Sequence, residues 1–251
     1  MALLDPLRRP PPPPEVAPHD RRAVWHVVAV IVAYNVVANL WLPLWMYVPA
    51  NLGAAGLLLW LAHRDGVSWR ELGMSRAQDR DGLRVGFVVV AVVLVVVAIG
   101  VLIPWTRDFF SDDRVGDASV VLMLYHVFVR IPWGTVVLEE VAFRGVLLGL
   151  LRRHVPTPWA VTWSSLLFGL WHVIPGYGAA TANEQVKLIT TGSLVGLVFA
   201  VVFAVLSTAI AGVVFCWIRL RADSLVASML AHMATNSIAY AAAWVVLNAG
   251  I

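Results

Sequence analysis

Six residues able to donate, accept or carry protons stand inside long apolar runs of this 251-residue chain, where packing alone does not call for them. They fall in three groups: Glu139-Glu140-x-x-x-Arg144, Phe168-x-x-x-His172 and His232-x-x-x-Asn236. A charge at the middle of a bilayer costs roughly 2.5 to 3.5 kcal/mol on an insertion scale, so the three charges of the first group cost about 8 to 10 kcal/mol if unpaired. Glu140 and Arg144 are four apart on a helix, share a face and are expected to pair. Glu139 is rotated about 100° from its neighbour and cannot use the same arginine equally well, which leaves one carboxylate free for other work. His172 and Phe168 share one helical face, as do His232 and Asn236. Counted by helix rise, Glu139 lies about 20 Å in from the flanking arginines or span start, His172 about 22 Å and His232 about 15 Å, so the three are expected at one level below the membrane surface. Carboxylate, imidazole and amide at one depth suit three kinds of use. They can activate a water and receive an oxyanion, relay protons, or hydrogen-bond between helices.

These residues need elements that cross a membrane, and the composition supplies them. The chain is 60% apolar and only 13% charged, against roughly a quarter charged in a soluble domain, and its mean hydropathy is +0.81. An all-α polytopic transmembrane bundle of about seven to eight segments is the expected fold. The single Cys216 permits no internal disulfide, which excludes a disulfide-stapled scaffold. A net charge of +3 reports membrane orientation here, and nucleic acid is not an expected partner. The lipid bilayer is.

Residues 1–22, with Pro10 to Pro14 and four arginines (Arg8, Arg9, Arg21, Arg22), read as an extended tail on the cytoplasmic side of a plasma-membrane protein. Residues 23–251 are expected to form the transmembrane domain, with the core that carries the candidate site residues at about 119–248. Spans are expected from about Val24 to Trp45, Pro49 to Leu61 and Val85 to Trp105. The arginines from Arg64 to Arg84 mark a cytoplasmic loop, in which Ser68-Trp69-Arg70-Glu71 has capping-box spacing. Asp108, Asp112, Asp113 and Asp117 mark an outer loop. The chain re-enters near Ser119, is interrupted at Arg130-Ile131-Pro132, and reaches cytoplasmic Arg152 and Arg153. A span from Pro158 to Ile174 ends at Pro175-Gly176-Tyr177-Gly178. One long or broken helix is expected between about Gln185 and Trp217, followed by cytoplasmic Arg219 and Arg221. The last span runs from about Leu225 to Leu247. Tyr34, Asn35 and Asn39 are polar enough to face the bundle interior, with no chemistry assigned to them.

The three motifs, in this order and on separate apolar spans, resemble those of the CPBP family of intramembrane proteases, which includes CAAX-processing (Rce1-type) endopeptidases and bacteriocin-processing or self-immunity proteins. The resemblance covers roughly Val137 to Asn236. It implies an intramembrane endopeptidase acting on a membrane-associated protein or peptide. In that picture Glu139 acts with His172 to activate water, His232 and Asn236 face the substrate carbonyl as the oxyanion pair, and Glu140, Arg144 and Phe168 support and orient them. No cofactor is expected, because Asn236 is a natural oxyanion donor and a poor zinc ligand. The alternative is a catalytic zinc on Glu139, His172 and His232. Two other functions stay open, a non-proteolytic immunity or partner-binding protein on the same scaffold and a transporter, although no inverted repeat supports the latter.

Overall fold

The computed structural model describes residues 21–107, 110, 115, 118–182 and 193–248. The tail up to residue 20, the loop residues Asp108, Asp112, Asp113 and Asp117, and Gln185 lie outside these residues. Every described element is helical, as required of an uninterrupted chain in hydrocarbon. The helices are α1 (Arg22–Leu40), α2 (Tyr47–Arg64), the single turn α3 (Trp69–Leu72) and α4 (Arg76–Leu102). They continue with α5 (Pro104–Arg107), α6 (Val120–His154), α7 (Thr157–Trp171), α8 (Val173–Ala182), α9 (Leu194–Arg221) and α10 (Leu225–Asn248). Six are long and apolar enough to cross a membrane: α1, α2 with the turn before it, α4 with α3, α6, α9 and α10. The chain is an integral membrane protein, and α7, at 15 residues, is shorter than these six, so the seven to eight expected segments comprise six long spans and shorter helices beside them.

The bundle is built around the second half of α6. Every residue from Leu138 to Leu150 is buried, so this stretch is enclosed on all sides rather than amphipathic. Leu138, Val141, Phe143, Val146 and Leu147 form one core with Val27 and Ile31 of α1, Ala55 and Leu58 of α2 and Phe168 of α7. Helices α4 and α9 do the reverse. Phe87, Val92, Val96 and Ile99 on α4, and Val198, Phe199, Phe203 and Ile210 on α9, are exposed, which suits a lipid-facing surface. Helices α7 and α9 cross closely at Gly169: a Cβ there would stand 2.6 Å from the Val205 carbonyl and 2.9 Å from Ala209. Small residues at such crossings allow membrane helices to pack by backbone approach.

The expected capping box is present. The Ser68 hydroxyl accepts from the Glu71 N–H, and the Glu71 carboxylate accepts from the Ser68 N–H at 2.8 Å. Other boundaries differ from expectation. Helix α4 starts at Arg76, so Arg76, Arg80 and Arg84 ride on its first turns instead of occupying a loop. Helix α6 runs through Arg130-Ile131-Pro132 without a break. Its hydrogen bonding widens to i→i+5 between His126 and Val136, which accommodates the missing Pro132 N–H. The Pro175-Gly178 string does not end a helix either. The break falls earlier, at His172, and the string lies inside α8. The described part of the long apolar stretch before Arg221 is one unbroken helix, α9.

Candidate functional site

The enclosed half of α6 brings the first motif to the centre of the bundle. Glu139 is 6% exposed, Glu140 0% and Arg144 1%, so each charge needs a partner. Arg144 Nη1 lies 3.2 Å from Glu140 Oε1, the i,i+4 pair that the spacing predicts. The guanidinium stacks over Phe168, with Cζ 3.9 Å from the ring centroid, and over Phe215 at 5.1 Å. Desolvated cation–π contacts of this kind are worth about 2 kcal/mol, and here they face nitrogens that have no hydrogen-bond acceptor among the described residues.

His232 bridges the two carboxylates. Its Nδ1 lies 2.9 Å from Glu140 Oε1 and its Nε2 3.7 Å from Glu139 Oε2. A carboxylate only accepts, so Nδ1–H is the donor to Glu140. The ring stacks on Phe215 at 4.7 Å and 22° and meets the edge of Phe168 at 6.0 Å and 88°. Glu140 therefore serves both Arg144 and His232.

Glu139 turns the other way. Its Oε1 accepts a 3.0 Å hydrogen bond from the Trp171 indole N–H, while Oε2 has no hydrogen-bonding partner among the described residues. His172, at the end of α7, packs edge-on against Phe168 at 4.7 Å. Its Nδ1 lies 2.8 Å from the Phe168 carbonyl, so Nδ1 donates and a neutral His172 has its lone pair on Nε2. Among the described residues no hydrogen bond joins His172 to Glu139; the residue next to it, Trp171, makes that contact. Asn236 is half-buried, one turn beyond His232, and its side chain has no hydrogen-bond partner among the described residues. It lies in the Ala234–Ile238 segment where α10 widens to i→i+5, and Ser237 anchors that segment to α6 through the Val127 carbonyl at 2.9 Å.

Phe168 is the hub. It touches Arg144, His172, His232 and Phe143, which gives it a role the sequence leaves as plain support. Trp171 and Phe215 belong to the site but to none of the three motifs. The Trp171 indole is a buried-donor candidate by type alone, and Phe215, in an apolar run, carries no sequence signal. Among the described residues no group of three or more His, Cys, Asp or Glu side chains is arranged to hold a metal ion.

Residues 118–238 match a family model described as Type II CAAX prenyl endopeptidase Rce1-like. The matched stretch runs from just before α6 into the wide turn of α10 and includes all three motifs. Over this segment the match agrees with the resemblance to the CPBP intramembrane proteases and supports a membrane-embedded peptidase of the CAAX-protease type. No curated protein and no solved structure matches the chain.

Proposed function

We propose that this protein is an intramembrane endopeptidase that hydrolyses a peptide bond of a membrane-associated protein or peptide, with Glu139 as the general base. One observation carries the reading. Glu139 is a buried carboxylate with one oxygen held by Trp171 and the other without a hydrogen-bond donor among the described residues, 3.7 Å from His232 Nε2. That arrangement suits a base whose free oxygen takes a proton from water at the moment of attack. His172, with its proton on Nδ1, offers Nε2 as a second acceptor for the same water. The hydroxide equivalent adds to the scissile carbonyl carbon, and the carbonyl π electrons move to oxygen. His232 and Asn236 receive that oxyanion. Because Nδ1–H of His232 is engaged by Glu140, donation from Nε2 requires the imidazolium form. Collapse of the tetrahedral intermediate breaks the C–N bond, and the proton taken from water passes to the leaving amine.

Glu140, Arg144 and Phe168 act through position. Glu140 fixes the His232 ring, Arg144 offsets the charge of Glu140, and Phe168 packs between them. The chemistry uses the chain's own residues and water, with no metal. The family points to a CAAX-type substrate in the bilayer, the arginines at Arg64–Arg84 and Arg221 favour a cytoplasmic N-terminus, and the plasma membrane is the location proposed. Comparative membrane proteomics of cells carrying Glu139→Ala tests the reading: a precursor is expected to accumulate while the variant inserts and folds normally. An unchanged proteome together with turnover by purified Glu139→Ala refutes it.

A further inference from the structure

Helix α1 lies outside the matched segment and carries none of the motifs, yet one of its side chains reaches the base through a single intermediary. Asn35 is 7% exposed, and its Nδ2 donates to the backbone carbonyl of Trp171 at 3.0 Å. That carbonyl is available for a reason written in the sequence. In a continuing helix it would accept from the N–H of residue 175, which is Pro175 and has none. A buried carbonyl without a partner is costly, and Asn35 supplies the missing donor. Trp171 in turn gives Glu139 its one hydrogen bond among the described residues, from Nε1 to Oε1 at 3.0 Å.

We propose that Trp171 is the positioning residue of the base, and that Asn35 holds Trp171, so that the N-terminal helix is a working part of the catalytic unit. The inference rests on the reading of Glu139 as the base. A glutamate rotates broadly about its last side-chain bond, so a donor on one oxygen determines where the other points. Here the indole takes Oε1 and leaves Oε2 facing His232. Packing alone does not fix the indole. Its ring meets Phe143 edge-on at 5.8 Å and 75°, but it also walls a cavity of about 220 Å³ bounded by Val28, Ile31, Asn35, Leu147 and Leu167. A ring beside open space needs directional bonds to hold it, and those are the contacts to Glu139 and Asn35.

The test uses the full chain in lipid nanodiscs with an internally quenched farnesylated CAAX peptide as the probe. It compares wild type, Glu139→Gln, Trp171→Phe, Asn35→Leu and the double variant Asn35→Leu/Trp171→Phe. Trp171→Phe keeps the edge-on contact and removes the N–H. Its kcat is expected to fall about 10- to 100-fold, the equivalent of the roughly 1.5–3 kcal/mol of a hydrogen bond to a charged group, with KM within about twofold. Asn35→Leu is expected to lower kcat by about 3- to 10-fold, and the double variant to be no worse than Trp171→Phe, since both act along one chain of contacts. Replacing Trp171 by β-(3-benzothienyl)alanine, a ring of the same shape without the N–H, gives the same result if Trp171→Phe folds poorly. Unchanged kcat in the Trp171 variants, an effect on KM alone, or additive losses in the double variant overturn the inference. A Glu139→Gln variant that cleaves as well as wild type, or a wild type that does not cleave, overturns the protease reading itself. An inactive Glu139→Gln beside a fully active Trp171→Phe overturns only the positioning role.

Discussion

Removing the guanidinium of Arg144 should be among the most destabilising single changes in the bundle, and removing its partner as well should restore part of the loss. Arg144 and Glu140 are both fully enclosed, 3.2 Å apart, and the arginine lies between Phe168 and Phe215. Arg144→Met keeps the length and apolar stem but leaves Glu140 as a buried carboxylate without its guanidinium partner. Breaking a buried pair from one side costs about 3–5 kcal/mol, because the surviving charge loses its partner without regaining water. The cation–π contacts add to the loss, while the packing of the Met side chain against the same two rings offsets part of it. The double variant Glu140→Gln/Arg144→Met removes both charges and keeps a side-chain oxygen to accept from His232 Nδ1, so at least about 2 kcal/mol should return. The assay is equilibrium unfolding by sodium dodecyl sulfate in mixed micelles, followed by near-ultraviolet circular dichroism. A loss under about 1 kcal/mol for Arg144→Met, or a double variant no more stable than the single, refutes the account of Arg144 as the charge that makes Glu140 tolerable.

Arg153 clamps the turn α3: it pairs bidentately with Glu71 at 2.7 Å for both bonds and donates to the Asp65 and Gly66 carbonyls. Arg153→Met should therefore cost about 1–2 kcal/mol, discounted for the partial exposure of Glu71, and speed amide exchange across Ser68–Met74; unchanged exchange there removes the clamp. Treatment with 1,10-phenanthroline should leave cleavage intact, and purified protein should carry no stoichiometric zinc. Zinc lost in step with activity overturns the metal-free chemistry.

The helical class and the three motifs were legible because hydropathy and i,i+4 spacing depend only on residue type. Three features were not. Arg219 reads as a loop charge after a span, yet it is 1% exposed and its Nη2 donates to the Glu71 carbonyl at 3.0 Å. A basic residue near a helix end can reach outward to headgroups or inward to carbonyls, and spacing does not distinguish the two. Proline strings read as stops, but Pro132 is absorbed by i→i+5 bonding, and the carbonyl freed by Pro175 is taken by Asn35. The direction of the Trp171 indole depends on how α7 leans against α6, which only tertiary packing sets. Asn35 was visible as an interior polar residue, but its partner lies 136 residues away.

The arrangement around His232 separates its structural contribution from its chemical one. In a straight α-helix Glu139 and Glu140 diverge by about 100°, yet both carboxylates approach one imidazole, at 3.7 and 2.9 Å. The i→i+5 stretch that begins at Glu140 offers a reason, since a wider turn reduces the angle between successive side chains. His232 thus holds Glu140 with Nδ1, fills the space against Phe215 with its ring, and leaves Nε2 3.7 Å from Glu139 Oε2, free for the proposed role at the substrate carbonyl. His232→Ala removes all three, and the lost donor together with the cavity beside Phe215 should cost about 2–4 kcal/mol. His232→Gln can keep a donor to Glu140 and much of the volume, so it should recover at least half of that stability while remaining inactive. Measured in the same unfolding assay beside a cleavage assay, an inactive but stable His232→Gln assigns Nε2 to chemistry and Nδ1 to structure. A His232→Ala variant as stable as wild type refutes the structural half, and an active His232→Gln refutes the chemical half.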